Sequence, residues 1–182
     1  MQVARFRTQW LILPALLSGC VSPLELTAFD GQLPVMRPEV FFAGSTTSYG
    51  VIATSKGKPS RILRVSGSGR TLPDGSFQLD QTVTYDDGKS GQRTWIMKSA
   101  DSMRYTATLT DAAGPVRAEV HGNLFHLRYL LKRPAVYMEQ WLYLQPDNRT
   151  VLNEGRISMA GMTIARLSER ITRSNQAETT NN

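Results

Sequence analysis

Three sets of residues in this 182-residue chain have types and spacings that could carry chemistry. Cys20, the only cysteine, follows Leu16-Leu17-Ser18-Gly19. In that setting its thiol is suited to acylation in the manner of a bacterial lipobox, which would make it the first residue of the mature chain. The second set is Gln81, Tyr85, Arg93, Trp95, Met97, Tyr105, Gln140 and Asn153. Arg93 can grip a carboxylate or phosphate through two parallel hydrogen bonds. Trp95, Tyr85, Tyr105 and Met97 offer apolar surface for an acyl chain, while Gln81, Gln140 and Asn153 add polar groups, the general make-up of a small-molecule site. The third set is His121 and His126 with Glu119 or Glu139. These could form an acid–base pair if a histidine and an acid were buried within hydrogen-bonding reach.

Other chemistries lack their residues. No serine stands in a five-residue G-x-S-x-G frame, since Gly67-Ser68-Gly69 is too short. The same glycine-rich stretch has neither the lysine nor the following helix of a phosphate loop. Two histidines, one cysteine and unclustered acids leave little for a metal site. Binding rather than catalysis is expected, with no catalytic residue, metal or cofactor.

Arg5 and Arg7 precede an apolar segment over 10–17, and small residues lead into Cys20, the order of a secretory signal peptide. A membrane span would need roughly 20 apolar residues. A buried helix would bear Pro14 at a cost of about 3 kcal/mol. The expected organisation is a signal peptide over 1–19, a lipidated cysteine and tether over 20–40, a folded domain over 41–173 and a disordered polar tail over 174–182. One acyl chain anchors marginally and two anchor stably, so the membrane is an expected partner. Val21 is not the aspartate that retains bacterial lipoproteins at the inner membrane. The outer membrane, on its periplasmic face, is therefore the expected address. Two of the 21 basic residues precede Cys20, leaving 19 against 15 acids with no run of like charge. That excess suits loose attraction to an anionic membrane, not nucleic acid.

The elements that must position these groups are strands. Phe77, Leu79, Val83 and Tyr85 alternate with Gln78, Asp80, Thr82 and Thr84, and similar alternation recurs along the chain. Turn residues such as Asp74-Gly75, Asp86-Asp87-Gly88, Gly122-Asn123 and Ala160-Gly161 separate the runs. Strands are predicted near 49–54, 61–68, 76–85, 92–99, 103–110, 116–120, 124–131, 136–144, 150–159 and 162–171. So many antiparallel neighbours need closure to remove their edges. An all-β, up-and-down barrel is expected, with a two-sheet sandwich as the alternative.

Pairing Tyr85 with Arg93 keeps the faces consistent and sets Trp95 near Val83 and Met97 near Gln81. Gln81, Gln140 and Asn153 then face inward. The alternative leaves Arg93 solvated at the rim, with Gln81 and Asn153 satisfying one another. The strands over 124–131 and 136–144 are apolar on both faces. Their outer face is either screened by the tether or a loop, or left open to a membrane or partner.

Gly75 to Gly88 (GSFQLDQTVTYDDG), Gln92 to Trp95 (QRTW), Gly122-Asn123-Leu124, and Trp141-Leu142-Tyr143-Leu144 followed by Asn153 resemble a family of proteobacterial lipoproteins, domain-of-unknown-function family 3833. The resemblance runs from Pro23 to about Ile171 and implies a lipocalin-like barrel on a lipid anchor, with no established activity. The family pattern leads one to expect acids at Gln81 and before Trp141, where Glu139-Gln140 stand, and an aromatic at Ala160. The expected function is a lipid-anchored module binding a fatty acid, lysolipid or similar amphiphile for envelope maintenance. The alternative is an envelope assembly factor that docks a protein partner, of unknown identity, through an exposed aromatic strand. A continuous apolar cavity would favour the first, and a lumen filled by its own side chains the second.

Overall fold

The computed structural model describes residues 24–174; Cys20, the apolar leader and residues 175–182 lie outside the described residues. Ten strands follow one another: β1 (Gly44–Thr54), β2 (Pro59–Thr71), β3 (Phe77–Tyr85), β4 (Ser90–Ser99), β5 (Arg104–Leu109), β6 (Val116–His121), β7 (Leu124–Lys132), β8 (Val136–Leu144), β9 (Thr150–Met159) and β10 (Met162–Arg173). Each pairs antiparallel with its neighbours in sequence, and β1 pairs with β10, from Thr46 opposite Arg173 to Thr54 opposite Ala165. The sheet is thus a closed barrel and not a sandwich. Closure satisfies the backbone groups of both terminal strands, which an open sheet would leave as edges.

β1 starts five residues earlier than the alternation predicts. The run Gly44-Ser45-Thr46-Thr47-Ser48 has no apolar period, yet Thr46 and Ser48 point inward and are buried. The β3–β4 register also differs from expectation. Gln81 faces Arg93, Leu79 faces Trp95, Phe77 faces Met97 and Val83 faces Gly91. The cause is the turn, where Tyr85 N–H donates to the Lys89 carbonyl (2.9 Å) and Gly88 takes φ +79°. A three-residue loop with glycine in the left-handed region closes the hairpin tightly. The slip is an even number of residues, so every side chain keeps its predicted face. Arg93 moves away from the turn and deeper into the barrel.

The segment expected as a tether is packed where it is described. A 3-10 turn at Leu26–Phe29 and a short helix α1 (Pro38–Phe41) lead into β1. Met36 is 1% exposed, and Phe41 and Phe42 are core residues whose rings meet edge-on at 4.9 Å. Phe42 approaches β2 so closely that a Cβ on Gly69 would collide with its carbonyl oxygen. The strap formed by residues 24–43 therefore closes the barrel end where β1 begins. Among the described residues the opposite end carries no such cover. Ile52, Tyr85, Leu131 and Ile157 pack there against the core while remaining partly exposed.

The strap also explains the doubly apolar strands. Met36 N–H donates to the Gly122 carbonyl (2.7 Å), and the Phe29 ring lies 5.5 Å from that of Tyr143. Leu124, on the outer face opposite Tyr143, is wholly buried. Trp141 is covered by the His126 ring (5.6 Å) and the Arg156 guanidinium (5.3 Å), and Tyr137 by Arg128 (5.2 Å). The outward aromatics of β8 are thus partly covered by their own chain.

Candidate functional site

The barrel interior is apolar at its closed end and carries a polar layer at mid-height. Gln81 Oε1 accepts from Trp95 Nε1 (3.0 Å) and Arg93 Nε (2.8 Å). Across the lumen, Asn153 Nδ2 donates to Gln140 Oε1 (2.8 Å) and to Glu169 Oε2 (2.8 Å). The Ser48 hydroxyl donates to the other Glu169 oxygen, and Gln140 Nε2 donates to the Tyr129 hydroxyl (3.3 Å). Burial pushes the Tyr129 phenol up to about 12. These bonds satisfy most of the layer, as buried polar groups require. Two groups of this layer stand apart. Asn153 Oδ1 has no partner although Asn153 is 2% exposed. Among the described residues the terminal nitrogens of Arg93, which is half-buried, make no hydrogen bond or ion pair.

Six predicted site residues, Gln81, Arg93, Trp95, Met97, Gln140 and Asn153, border one void with Glu169. The other two stand elsewhere. Tyr85 sits at the uncovered end beneath the Arg61 guanidinium (4.9 Å). Tyr105 packs against Phe125, and its hydroxyl donates to Glu39 Oε2 of the strap (3.0 Å), where burial and that carboxylate raise its pKa. The Gln81–Asn153 pairing of the alternative reading is not formed, because the two residues have different partners. Glu169 and Ser48 were not foreseen. Glu169 is in phase with Leu167 and Ile171, so alternation could have placed it inside; Ser48 had no such signal. The void holds about 30 Å³, room for a water or two. The lumen is filled almost entirely by the chain's own side chains.

The histidines form a separate strip on the outer wall. His121 Nδ1 lies 2.8 Å from Asp30 Oδ1, and His126 lies 3.1 Å from Glu119 through Nδ1 and 3.1 Å from Glu139 through Nε2. Both rings are 7% exposed. Burial opposes ionisation of Glu139, but hydrogen bonds from Arg156 and His126 win and hold its carboxyl below the usual range. The reach required of an acid–base pair is therefore met. Neither histidine lines the lumen void, whereas Glu119 also lines an outer-wall groove of about 720 Å³ with Asp74, Lys98, Arg104 and Arg117. Among the described residues no group of three is arranged to hold a metal ion.

Comparison with known proteins agrees with this geometry at the level of fold. The S-type phycobiliprotein lyase CPES from Guillardia theta superimposes with a TM-score of 0.60 at 9% identity, over 76% of this chain and 93% of the lyase. That likeness is one of barrel architecture. Curated proteins yield no match. A family profile described as a protein of unknown function, DUF3833, matches residues 14–173, the whole barrel together with its strap. A ten-stranded lipocalin-like barrel, plugged at one end by its own N-terminal strap, is thus the form taken by this member of the DUF3833 family.

Proposed function

We propose that this barrel is a small-ligand-binding module, held to the periplasmic face of the outer membrane by acyl chains on Cys20. The ligand is an amphiphile with an acidic head that enters through the uncovered end. One observation carries the reading: the polar layer is incomplete, with the Asn153 Oδ1 acceptor and the Arg93 terminal donors bordering the same void. A buried polar group without a partner costs about 1–3 kcal/mol; an acidic headgroup would accept from the Arg93 terminal nitrogens, and a bound water would donate to Asn153 Oδ1. The void is far smaller than the roughly 300–1,000 Å³ of ordinary small-molecule pockets. Only the head would occupy it, and the chain would lie among Ile52, Tyr85, Leu131 and Ile157, with Met97 and Met138 adapting by rotamer. The histidine rings are buried and held by carboxylates, and we read that strip as structural and the protein as a binder.

The test compares dodecanoate with dodecanol, binding to the full chain in neutral detergent, followed by tryptophan fluorescence with Trp10 and Trp141 replaced by Phe so that Trp95 reports. Arg93→Gln should weaken dodecanoate by roughly tenfold to a hundredfold, the worth of a charge-assisted hydrogen bond, and leave dodecanol nearly unchanged. Equal loss for both would mean that Arg93 serves the fold through Gln81. The nearly filled lumen favours a second reading, an envelope structural factor. No binding of either probe to the parent protein would leave that reading ahead.

A further inference from the structure

The outer wall holds a groove of about 420 Å³ at the junction of β6, β7 and β8, lined by Gly114, Pro115, Arg117, Arg128, Arg133 and Tyr137, and by no acidic residue. Arg117 and Arg128 are directly opposed in the β6–β7 register. Like charges in that position repel, so the pair stands at a cost unless an anion sits between them. The two carboxylates beside them in the strand register are taken. Glu139 is the register partner of Arg128 on the other side, yet it is held by His126 and Arg156. Glu119, two residues from Arg117, meets His126. Among the described residues neither Arg117 nor Arg128 makes an ion pair. Arg128 is oriented by stacking on the Tyr137 ring, and Arg133 leans on the Ala113 carbonyl (3.4 Å).

We propose that this groove binds a phosphate-bearing ligand, gripped between Arg117 and Arg128 with Arg133 at its edge. The guanidinium fork matches phosphate oxygens two at a time, and an anion there converts the Arg117–Arg128 repulsion into a shared attraction. The groove lies beside the turns of the uncovered end and is independent of the lumen, so failure of the lumen reading leaves it untouched. The phosphate is that of a lipid headgroup or of a soluble phosphate ester, and the test separates the two.

The full chain in neutral detergent is titrated with glycerol 3-phosphate, with dihexanoyl phosphatidylglycerol and with glycerol. The readout is the arginine Nε resonances. A phosphate probe should shift Arg117 and Arg128 saturably while Arg64 and Arg70, on another wall, stay still and glycerol does nothing. Arg117→Gln with Arg128→Gln should weaken binding about tenfold or more, with the circular dichroism of the barrel unchanged. Tighter binding of the phosphatidylglycerol assigns the site to a lipid headgroup, and equal binding assigns it to a soluble ester. Shifts shared equally by Arg64 and Arg70, no saturation by either phosphate probe, or undiminished binding by the double variant would overturn the proposal.

Discussion

Gly122 is where the strap is held to the barrel, and Gly122→Ala should measure how firmly. Gly122 has φ +52°, and a Cβ there would collide with the Phe29 carbonyl oxygen and lie 2.8 and 2.9 Å from the Gln32 backbone nitrogen and oxygen. These are backbone atoms that cannot rotate away, so the strap itself must lift. An L-residue in the left-handed region costs about 1–2 kcal/mol before any collision. Lifting the strap weakens the Met36–Gly122 hydrogen bond, worth about 0.5–1.5 kcal/mol, and the Phe29–Tyr143 contact, worth about 0.5–1.5 kcal/mol. The Asp30–His121 pair adds little, because Asp30 is half exposed. The expected loss is roughly 2–5 kcal/mol. Gly75→Ala is the control, since Gly75 has φ +78° but nothing within 4 Å of its Cβ position, and should lose only about 1–2 kcal/mol. Urea unfolding of the full chain in neutral detergent gives both values, and hydrogen exchange at the Met36 amide shows whether the strap has lifted. Losses for the two variants agreeing within about 0.5 kcal/mol, with the Met36 amide still protected, would refute the packing argument.

Two further outcomes are expected. The depressed Glu139 carboxyl contributes stability that is complete above its ordinary pKa and is lost as pH falls through the lower folded value. Glu139→Gln should therefore lower the urea midpoint near neutral pH and converge on the parent in acid; the same pH slope for both proteins would show that Glu139 contributes nothing. Cys20→Ser should abolish acylation, read by intact mass and by partition into detergent, and a processed, acylated variant would contradict the anchor.

Period-two alternation, which needs only local sequence, pointed to about nine or ten strands in order and to the face taken by the side chains within the alternating runs. Gln81, Arg93, Trp95, Gln140 and Asn153 were legible as inward residues for that reason. Alternation is blind to even slips of register, so whether Arg93 meets Tyr85 or Gln81 was decided by the tight closure between Tyr85 and Lys89. Closure itself rests on β1 meeting β10, a pairing between the two ends of the chain that no local pattern encodes. The start of β1 was hidden because small polar residues line the lumen there, where the Ser48 hydroxyl meets the Glu169 carboxylate. The strap has no period to read, and its burial of Met36 and its hold on His121 follow from the shape of the barrel end it covers. Sequence could place a histidine and an acid on the same outer wall. Only the three-dimensional register decided that Glu119 and Glu139 would close on His126, leaving Arg117 and Arg128 facing each other without a counter-charge.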